Sequence, residues 1–411
     1  MRRRAHTARL DPTPEQAATL DRQGHTARAL WNLLHEWYTW GGAGGSIAKR
    51  PSWKEMDRQL REARTNPLPG YEWLALLPAQ ATQQVLKHYL RAWDRFFQGL
   101  AGRPKFKRRS SRLAVDNPQA NRLNVVRLNR RRGEVAVSMV GTVRFCWTRP
   151  LPGVTPGRPG RITGARLIKD SLGWHISFRI EEPKCEAAPN PGPPVGMDRG
   201  VVHTMTLSDG RHLHMPELLT NGEQRRLRKL ELQAARRRTR RQRKPGTRMS
   251  NRERRCYQQI AKLRARQTRR RTDWLHKQTT DLAKNHGLVV VEDLRIQNMT
   301  RTVRGTIDKP GRNVRAKAGL NRSILGMAWG KAGQMLAYKC PDRGGKLVKV
   351  NPYNSSIECA KCGHVDPENR VDQARFCCRR CGHRANADVN AARVLLARGL
   401  GLAGHSGTAP G

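Results

Sequence analysis

In the stretch GWHISFRI, Trp174, Ile176, Phe178 and Ile180 alternate with His175, Ser177 and Arg179. This period of two predicts a strand with one buried face. EVAVSM and TVRFCW repeat the pattern, so residues 120–181 read as a small antiparallel barrel preceded by a helical insertion. The insertion opens at Thr13-Pro14-Glu15-Gln16, a capping box with proline at the first helical position. Leu30, Leu34, Trp37 and Tyr38 follow at helical spacing, and GGAGGS (41–46) is a flexible break. A second helix, about Pro78 to Leu100, carries Val85, Tyr89, Trp93 and Phe97 on one face, a stripe that reads as a packing core.

A proline-rich linker, EAAPNPGPP, ends this half. The second half begins with strand, tight turn and strand, VGMDRGVVHTMTLSDGRHLH. Two basic helices follow at about 222–241 and 250–286, split by KPGTR; the second stops at Gly287. LVVVED is a buried-strand run, 300–318 a polar and mobile stretch, 321–338 helical, and KLVKVNP a strand. A last helix spans about 387–398, and the glycine-rich tail after it is expected to be disordered.

Charge narrows the function. The 411 residues hold 80 Lys+Arg against 32 Asp+Glu, a formal net charge of +48. Such a chain repels itself unless a polyanion neutralises it, which makes nucleic acid the expected partner. No apolar run reaches the roughly 18 residues of a membrane span, and no apolar stretch follows the basic start, so a cytoplasmic, nucleoid-associated bacterial or archaeal protein is expected. GRPKFKRRSSR (102–112) is a basic loop with one aromatic. Lys105, Phe106, Lys107, Arg108 and Arg109 are expected to grip phosphates while the ring stacks on a base.

Five of the nine cysteines fall between Cys359 and Cys381. Cys359 and Cys362 form one C-x-x-C-G turn, Cys378 and Cys381 another, with fifteen residues between Cys362 and Cys378. Two such turns present four thiolates to one tetrahedral ion, and four thiolates leave no open position, so a structural zinc site is expected, with redox dithiols or an iron–sulfur cluster as the alternatives. Cys377 lacks the turn spacing. His364 and His383 are expected outside the ligand set. Cys146, Cys185, Cys256 and Cys340 read as packing thiols.

Three acids stand out against this basic background. Asp198 lies in VGMDRG, Glu292 ends LVVVED, and Asp388 lies in ANADVNAA just after the cysteines. Two carboxylates about 4 Å apart repel by roughly 4 kcal/mol at an effective dielectric near 20. A fold that gathers three therefore needs cations to hold them. Magnesium suits such oxygen ligands, and a pair of ions serves phosphodiester cleavage. Asp293 would point to the opposite side of its strand, and Asp209 sits in a turn.

GMDRG with TLSDG, VVVEDLRIQNM, and the cysteine pairs leading into ADVNAA resemble the split RuvC-like nuclease and zinc ribbon of the TnpB (OrfB) family. LDPTPEQ, GRPKFK, WHISF, WLHKQTTDLAKNHGLVVVEDL, LNRSILGMAWG and GGKLVKVNPYNSS extend the resemblance over nearly the whole chain. The family comprises transposon-encoded RNA-guided DNA endonucleases, ancestral to miniature type V CRISPR effectors.

The resemblance implies a multidomain α+β protein. Residues 1–12 and 108–182 would form a wedge β-barrel, 13–107 an inserted helical recognition region, and 183–194 a linker. Residues 195–354 and 385–400 would form a RuvC-like (RNase H-like) α/β nuclease, 355–384 a zinc ribbon, and 401–411 a disordered tail. Asp198, Glu292 and Asp388 map onto the family's metal-binding acids, and Cys359, Cys362, Cys378 and Cys381 onto its zinc ligands. Guide RNA and target double-stranded DNA are the implied partners, with one protein per RNA. One site would cut both strands beside a short motif read by the protein. Arg199 beside the first acid would contact substrate phosphate or lie in solvent. The competing expectations are a miniature CRISPR effector, a non-cleaving RNA-guided repressor and a DNA-joining transposase.

Overall fold

The computed structural model describes residues 1–40, 51–184, 186–244, 246–306 and 308–405. The glycine-rich break at 41–46, Cys185 and residues 406–411 of the expected tail lie outside the described residues. The chain divides into two compact units, Met1–Lys184 and Cys185–Gly411.

The first unit contains β1 (Arg2–Asp11), α1 (Pro14–Trp40), α2 (Trp53–Thr65), α3 (Ala79–Phe97), β2 (Ala114–Asn117), β3 (Val126–Arg127), β4 (Arg132–Val137), β5 (Gly141–Cys146), β6 (Arg161–Asp170) and β7 (Gly173–Glu182). The strands form one antiparallel sheet in the order β2-β6-β7-β1-β5-β4-β3. β1 serves both halves, pairing with β7 over Arg2–Arg9 and with β5 at Leu10 and Asp11. The sheet curls enough to bring Phe145 of β5 within 5.3 Å of Phe178 of β7, ring centroid to ring centroid. Its edge strands β2 and β3 do not pair with each other among the described residues, so the expected barrel is an open, curled sheet in its hydrogen bonding. Trp174, Ile176, Phe178 and Ile180 are buried, as their alternation predicts.

The capping box at α1 is present in both directions. Gln16 N–H donates to Thr13 Oγ1 at 3.3 Å, and Thr13 N–H donates to Gln16 Oε1 at 3.1 Å. On α3, Tyr89 and Trp93 are buried, but Phe97 is exposed, stacking on Trp93 from outside at 5.6 Å. The packing stripe ends one turn earlier than its spacing suggests.

The second unit contains β8 (Val195–Asp198), β9 (Met205–Leu207), β10 (His212–Leu213), α4 (Asn221–Gln242), α5 (Asn251–Asn285), β11 (Leu288–Glu292), α6 (Ile296–Met299), α7 (Val314–Met327), α8 (Trp329–Lys339), β12 (Lys346–Val350), β13 (Arg375–Cys377), β14 (Arg384–Asn386) and α9 (Ala387–His405). The main sheet runs β10-β9-β8-β11-β12, and β8, β11 and β12 are parallel. β11 is apolar from Leu288 to Val291 because both its faces are covered there. Val289 and Val291 pack with Leu275 and Leu282 of α5 and Met335 and Leu336 of α8, while Val290 packs with Leu395 of α9.

Helix α9 lies close on the sheet because residue 196 is glycine. A Cβ there would stand 2.1 Å from the Ala392 carbonyl oxygen. Gly196→Ala is therefore expected to destabilise the second unit by about 1–3 kcal/mol through overpacking, read as a lower thermal or urea midpoint.

Other expectations need correction. Helix α9 continues through Gly399 and Gly401 to His405, so residues 401–405 are helical and not disordered tail. Residues 314–318 belong to α7, and the helical stretch beyond is two helices joined at Ala328, which adopts φ +55°. The expected linker is stitched into the second unit. The Asn190 amide donates to the carbonyls of Ala283, Lys284 and His286, covering the end of α5. This contact also explains Gly287, where a Cβ would meet Asn190 O at 2.3 Å; the glycine answers close approach and not a left-handed turn.

Candidate metal centres and nucleic-acid interface

Asp198 and Glu292 end neighbouring parallel strands. The register pairs Val291 with Met197, so the next residue on each strand shares a side, and that side faces α9 with Gly196 and Val290. Asp388 lies in the first turn of α9, where Asn386 Oδ1 accepts the N–H groups of Asp388 and Val389 at 3.0 and 3.2 Å and so caps the helix. The three carboxyls share one electrostatic neighbourhood. Burial first, then Glu292 and then Asp388, push Asp198 up from 3.8 to about 7, against the opposing pull of Arg370 and the Arg199 backbone N–H. Burial also raises Glu292, with Arg199 opposing it.

Two arginines attend these acids, and neither role was legible from sequence spacing. Arg370, in the cysteine module, donates from Nη2 to Asp388 Oδ1 at 3.2 Å. Arg199 is neither solvated nor free for substrate. It is buried, its Nη2 donates to the Glu292 carbonyl oxygen, and its Nε lies 3.8 Å from Glu292 Oε2. That Nε and Oε2 are both buried without a hydrogen-bond partner. The acids do not close to one tight point. Among the described residues, the four cysteines are the one set of three or more His, Cys, Asp or Glu side chains whose ligand atoms all lie within 4.8 Å of one another.

The raised Asp198 has a consequence for stability. Its folded value of about 7 lies above the ordinary 3.8. The associated stabilisation is therefore present at low pH and is lost as pH rises through about 7. In magnesium-free buffer, wild-type protein is expected to lose melting temperature relative to Asp198→Asn between about pH 5 and about pH 8. Added Mg2+ should reverse the loss at the higher pH. Parallel thermal melts across that range check both halves.

The cysteine module is two copies of one turn. Cys359 N–H donates to His364 O and Cys378 N–H to His383 O, each at 2.9 Å. Gly363 and Gly382 occupy the left-handed region at φ +71° and +66°. Cys359 Sγ lies 3.7 Å from Cys381 Sγ, and Cys362 Sγ 3.6 Å from Cys378 Sγ. These separations match thiolates about 2.3 Å from a common tetrahedral ion. The cluster can thus hold a structural metal. Cys377 stays outside it, on β13 opposite Arg384. Two buried asparagines that spacing did not flag secure the module. Asn369 donates to Ile357 O and His364 O, while Asn390 of α9 donates to Glu358 O and accepts from Ala360 N–H. Asn390 thereby ties the first turn of the module to the helix that carries Asp388.

In the first unit, the basic loop 102–112 is fastened to α1 through its backbone. Trp31 Nε1 donates to Lys105 O, Asn32 both donates to Lys107 O and accepts from Lys107 N–H, and Arg28 donates to Arg109 O. The side chains of Lys105, Phe106, Arg108 and Arg109 are left exposed. Lys107 departs from this pattern. Its Nζ sits 3.8 Å over the Trp31 ring, and burial with Arg166 lowers its pKa to about 8. It lines a cavity of about 440 Å³ together with Arg28, Arg112 and Arg166.

Comparison with known proteins agrees with this geometry. Three family profiles match in chain order: "Helix-turn-helix domain" over residues 1–40, "Probable transposase" over 175–303, and "Cas12f1-like, TNB domain" over 329–395. The first of these falls here on a strand and one continuous helix. The chain is 37% identical over 329 residues to the "Putative RNA-guided DNA endonuclease InsQ" of Escherichia coli K12, covering 80% of this chain and 76% of that protein. It is 30% identical to a "Putative RNA-guided DNA endonuclease" of Streptomyces pristinaespiralis, covering 97% and 90%. Cas12f1, solved by cryo-EM in complex with sgRNA and target DNA, shares the fold at a TM-score of 0.52 and 15% identity, over 93% of this chain and 83% of that one. The fold is thus a mixed α/β, multidomain one of the kind seen in Cas12f1. The chain itself belongs to the TnpB (OrfB) family.

Proposed function

We propose that the protein is a transposon-associated RNA-guided DNA endonuclease whose single nuclease centre is formed by Asp198, Glu292 and Asp388. The observation that carries this is the crowding of the acids. Asp198, raised to about 7 by burial and by its two neighbours, sits at the end of a parallel strand beside Glu292 and under the first turn of α9. Hard oxygen donors and a buried Glu292 Oε2 that accepts no hydrogen bond fit a divalent cation of the magnesium class. Magnesium bound there would supply an activated water and neutralise charge on the departing oxygen. The protein's own part is placement. Rigid strand ends fix Asp198 and Glu292, the Asn386 cap fixes Asp388, and Arg370 orients the Asp388 carboxylate. The sheet β10-β9-β8-β11-β12 with α9 is read as RuvC-like (RNase H-like), and the four cysteines as a zinc ribbon.

In the first unit, residues 1–12 and 108–182 are read as the wedge and 13–107 as the helical recognition region. Guide RNA would neutralise much of the net charge of +48. The exposed Lys105, Arg108 and Arg109 would contact the phosphate backbone while Phe106 stacks on a base, with Lys107 held back against Trp31. No helix among the described residues is long and apolar enough to cross a membrane.

A second reading, a miniature CRISPR effector, draws support from 47% identity over 62 residues to Cas12f1 of Sulfoacidibacillus thermotolerans. Sequencing the RNA that co-purifies with the protein separates the two. An RNA from the end of the protein's own element is expected. Repeat–spacer RNA would favour the CRISPR reading, and an absence of bound RNA would overturn both.

A further inference from the structure

The second unit contains a cluster of imidazoles that the nuclease reading does not use. His203 lies in the loop from β8 to β9, His212 in β10, and His214 just beyond it. His203 Nδ1 and His214 Nε2 are 3.0 Å apart. The His203 ring centroid lies 4.5 Å from that of His214 at an interplanar angle of 65°, and 4.3 Å from that of His212 at 32°. The hairpin holds the three together, since β9 and β10 pair His212 with Thr206 and Leu213 with Met205. His214 is exposed, and His203 and His212 are partly so.

We propose that His203, His214 and His212 form a binding site for a borderline transition-metal cation of the nickel–zinc class, distinct in its donor atoms from the carboxylate and the cysteine centres. The chemistry favours such an ion over magnesium, because imidazole nitrogens select borderline metals and carboxylates select hard ones. Metal–nitrogen bonds of about 2.0–2.1 Å place two donors roughly 2.9 Å apart at a right angle and roughly 3.3 Å apart at the tetrahedral angle. The His203–His214 separation of 3.0 Å falls in that window. A hydrogen bond between two neutral imidazoles gives a similar distance, but it needs no third ring. His212 has the arrangement of a ligand: its Nδ1 lies 3.1 Å from Thr206 Oγ1, and donation there leaves the Nε2 lone pair free. In the present rotamers His203 and His214 have met, and His212 completes the set by a shift of the hairpin that keeps its bond to Thr206, with water in the remaining positions. Burial, and then His212 and His214, hold His203 below its ordinary value, against the opposing pull of Asp388.

The test is nickel binding to tag-free, zinc-loaded full-length protein in excess Mg2+, followed by calorimetry and by the ligand-field absorption of nitrogen-bound nickel. One additional Ni2+ per chain is expected. His203→Gln combined with His214→Gln should weaken binding about 100-fold, and Thr206→Val about 10-fold, the range seen when a ligand's hydrogen-bond partner is lost. His383→Gln, in the cysteine module, should leave it unchanged. Wild-type protein gives an independent readout should the double variant misfold. Ni2+ should broaden the imidazole NMR signals of His203, His212 and His214 before those of His364 and His383. Absence of nickel binding, undiminished binding in a folded double variant, or broadening that starts at other histidines would overturn the proposal.

Discussion

Asp198→Ala is expected to reduce guided DNA cleavage to below about a thousandth of wild type, the loss of roughly 4 kcal/mol of transition-state stabilisation. Guided DNA binding should survive, because the residue ends a strand whose packing side chains, Val195 and Met197, remain in place. The same substitution should raise the melting temperature of magnesium-free protein near neutral pH. It removes the carboxyl that burial, Glu292 and Asp388 crowd most. Single-turnover cleavage, a binding assay and a thermal melt on one preparation cover all three outcomes. Retained cleavage would show that the metal centre lies elsewhere.

Cys378→Ser should be nearly as damaging by a different route. Structural zinc sites contribute on the order of 10 kcal/mol to small domains that need them. Losing one thiolate should release the ion and loosen residues 355–384. The damage is expected to reach the proposed nuclease centre through three contacts: Arg370 on Asp388, Asn390 on Glu358 and Ala360, and Ala387 N–H on Ala374 O. Hydrogen exchange should rise across the module and the first turn of α9 and remain unchanged in the first unit, while cleavage falls in proportion. Cys377→Ser, on β13 and outside the cluster, should behave as wild type. If Cys377→Ser were the damaging change, the ligand set would be shifted by one residue.

The sequence carried the parts of this account that depend on local pattern. Alternation placed Trp174 to Ile180 on a buried strand face, the capping box began α1, and the paired C-x-x-C-G turns foretold four converging thiols. The acids stand out in the sequence because a carboxylate at the end of an apolar strand is costly without a cation. The remaining features depend on long-range placement. Arg370 and Asp388 meet across the fold of the module, and Arg199 turns into the protein towards a strand far along the chain. In sequence Lys107 reads as one more phosphate-gripping cation, and only the packing of α1 places Trp31 beneath it. Gly287 looked like an ordinary helix stop, although its reason is Asn190, far back in sequence. The glycines after residue 398 suggested fraying, but the chain continues as helix to His405.

The most direct test of the central claim is to change the guide and follow the cut. Protein reconstituted with an RNA bearing a new guide segment should, in Mg2+, cleave both strands of DNA matching that segment and cease cleaving the original target. A cut that stays at the original site whatever the guide, or DNA left intact by protein with all three acids in place, would contradict it.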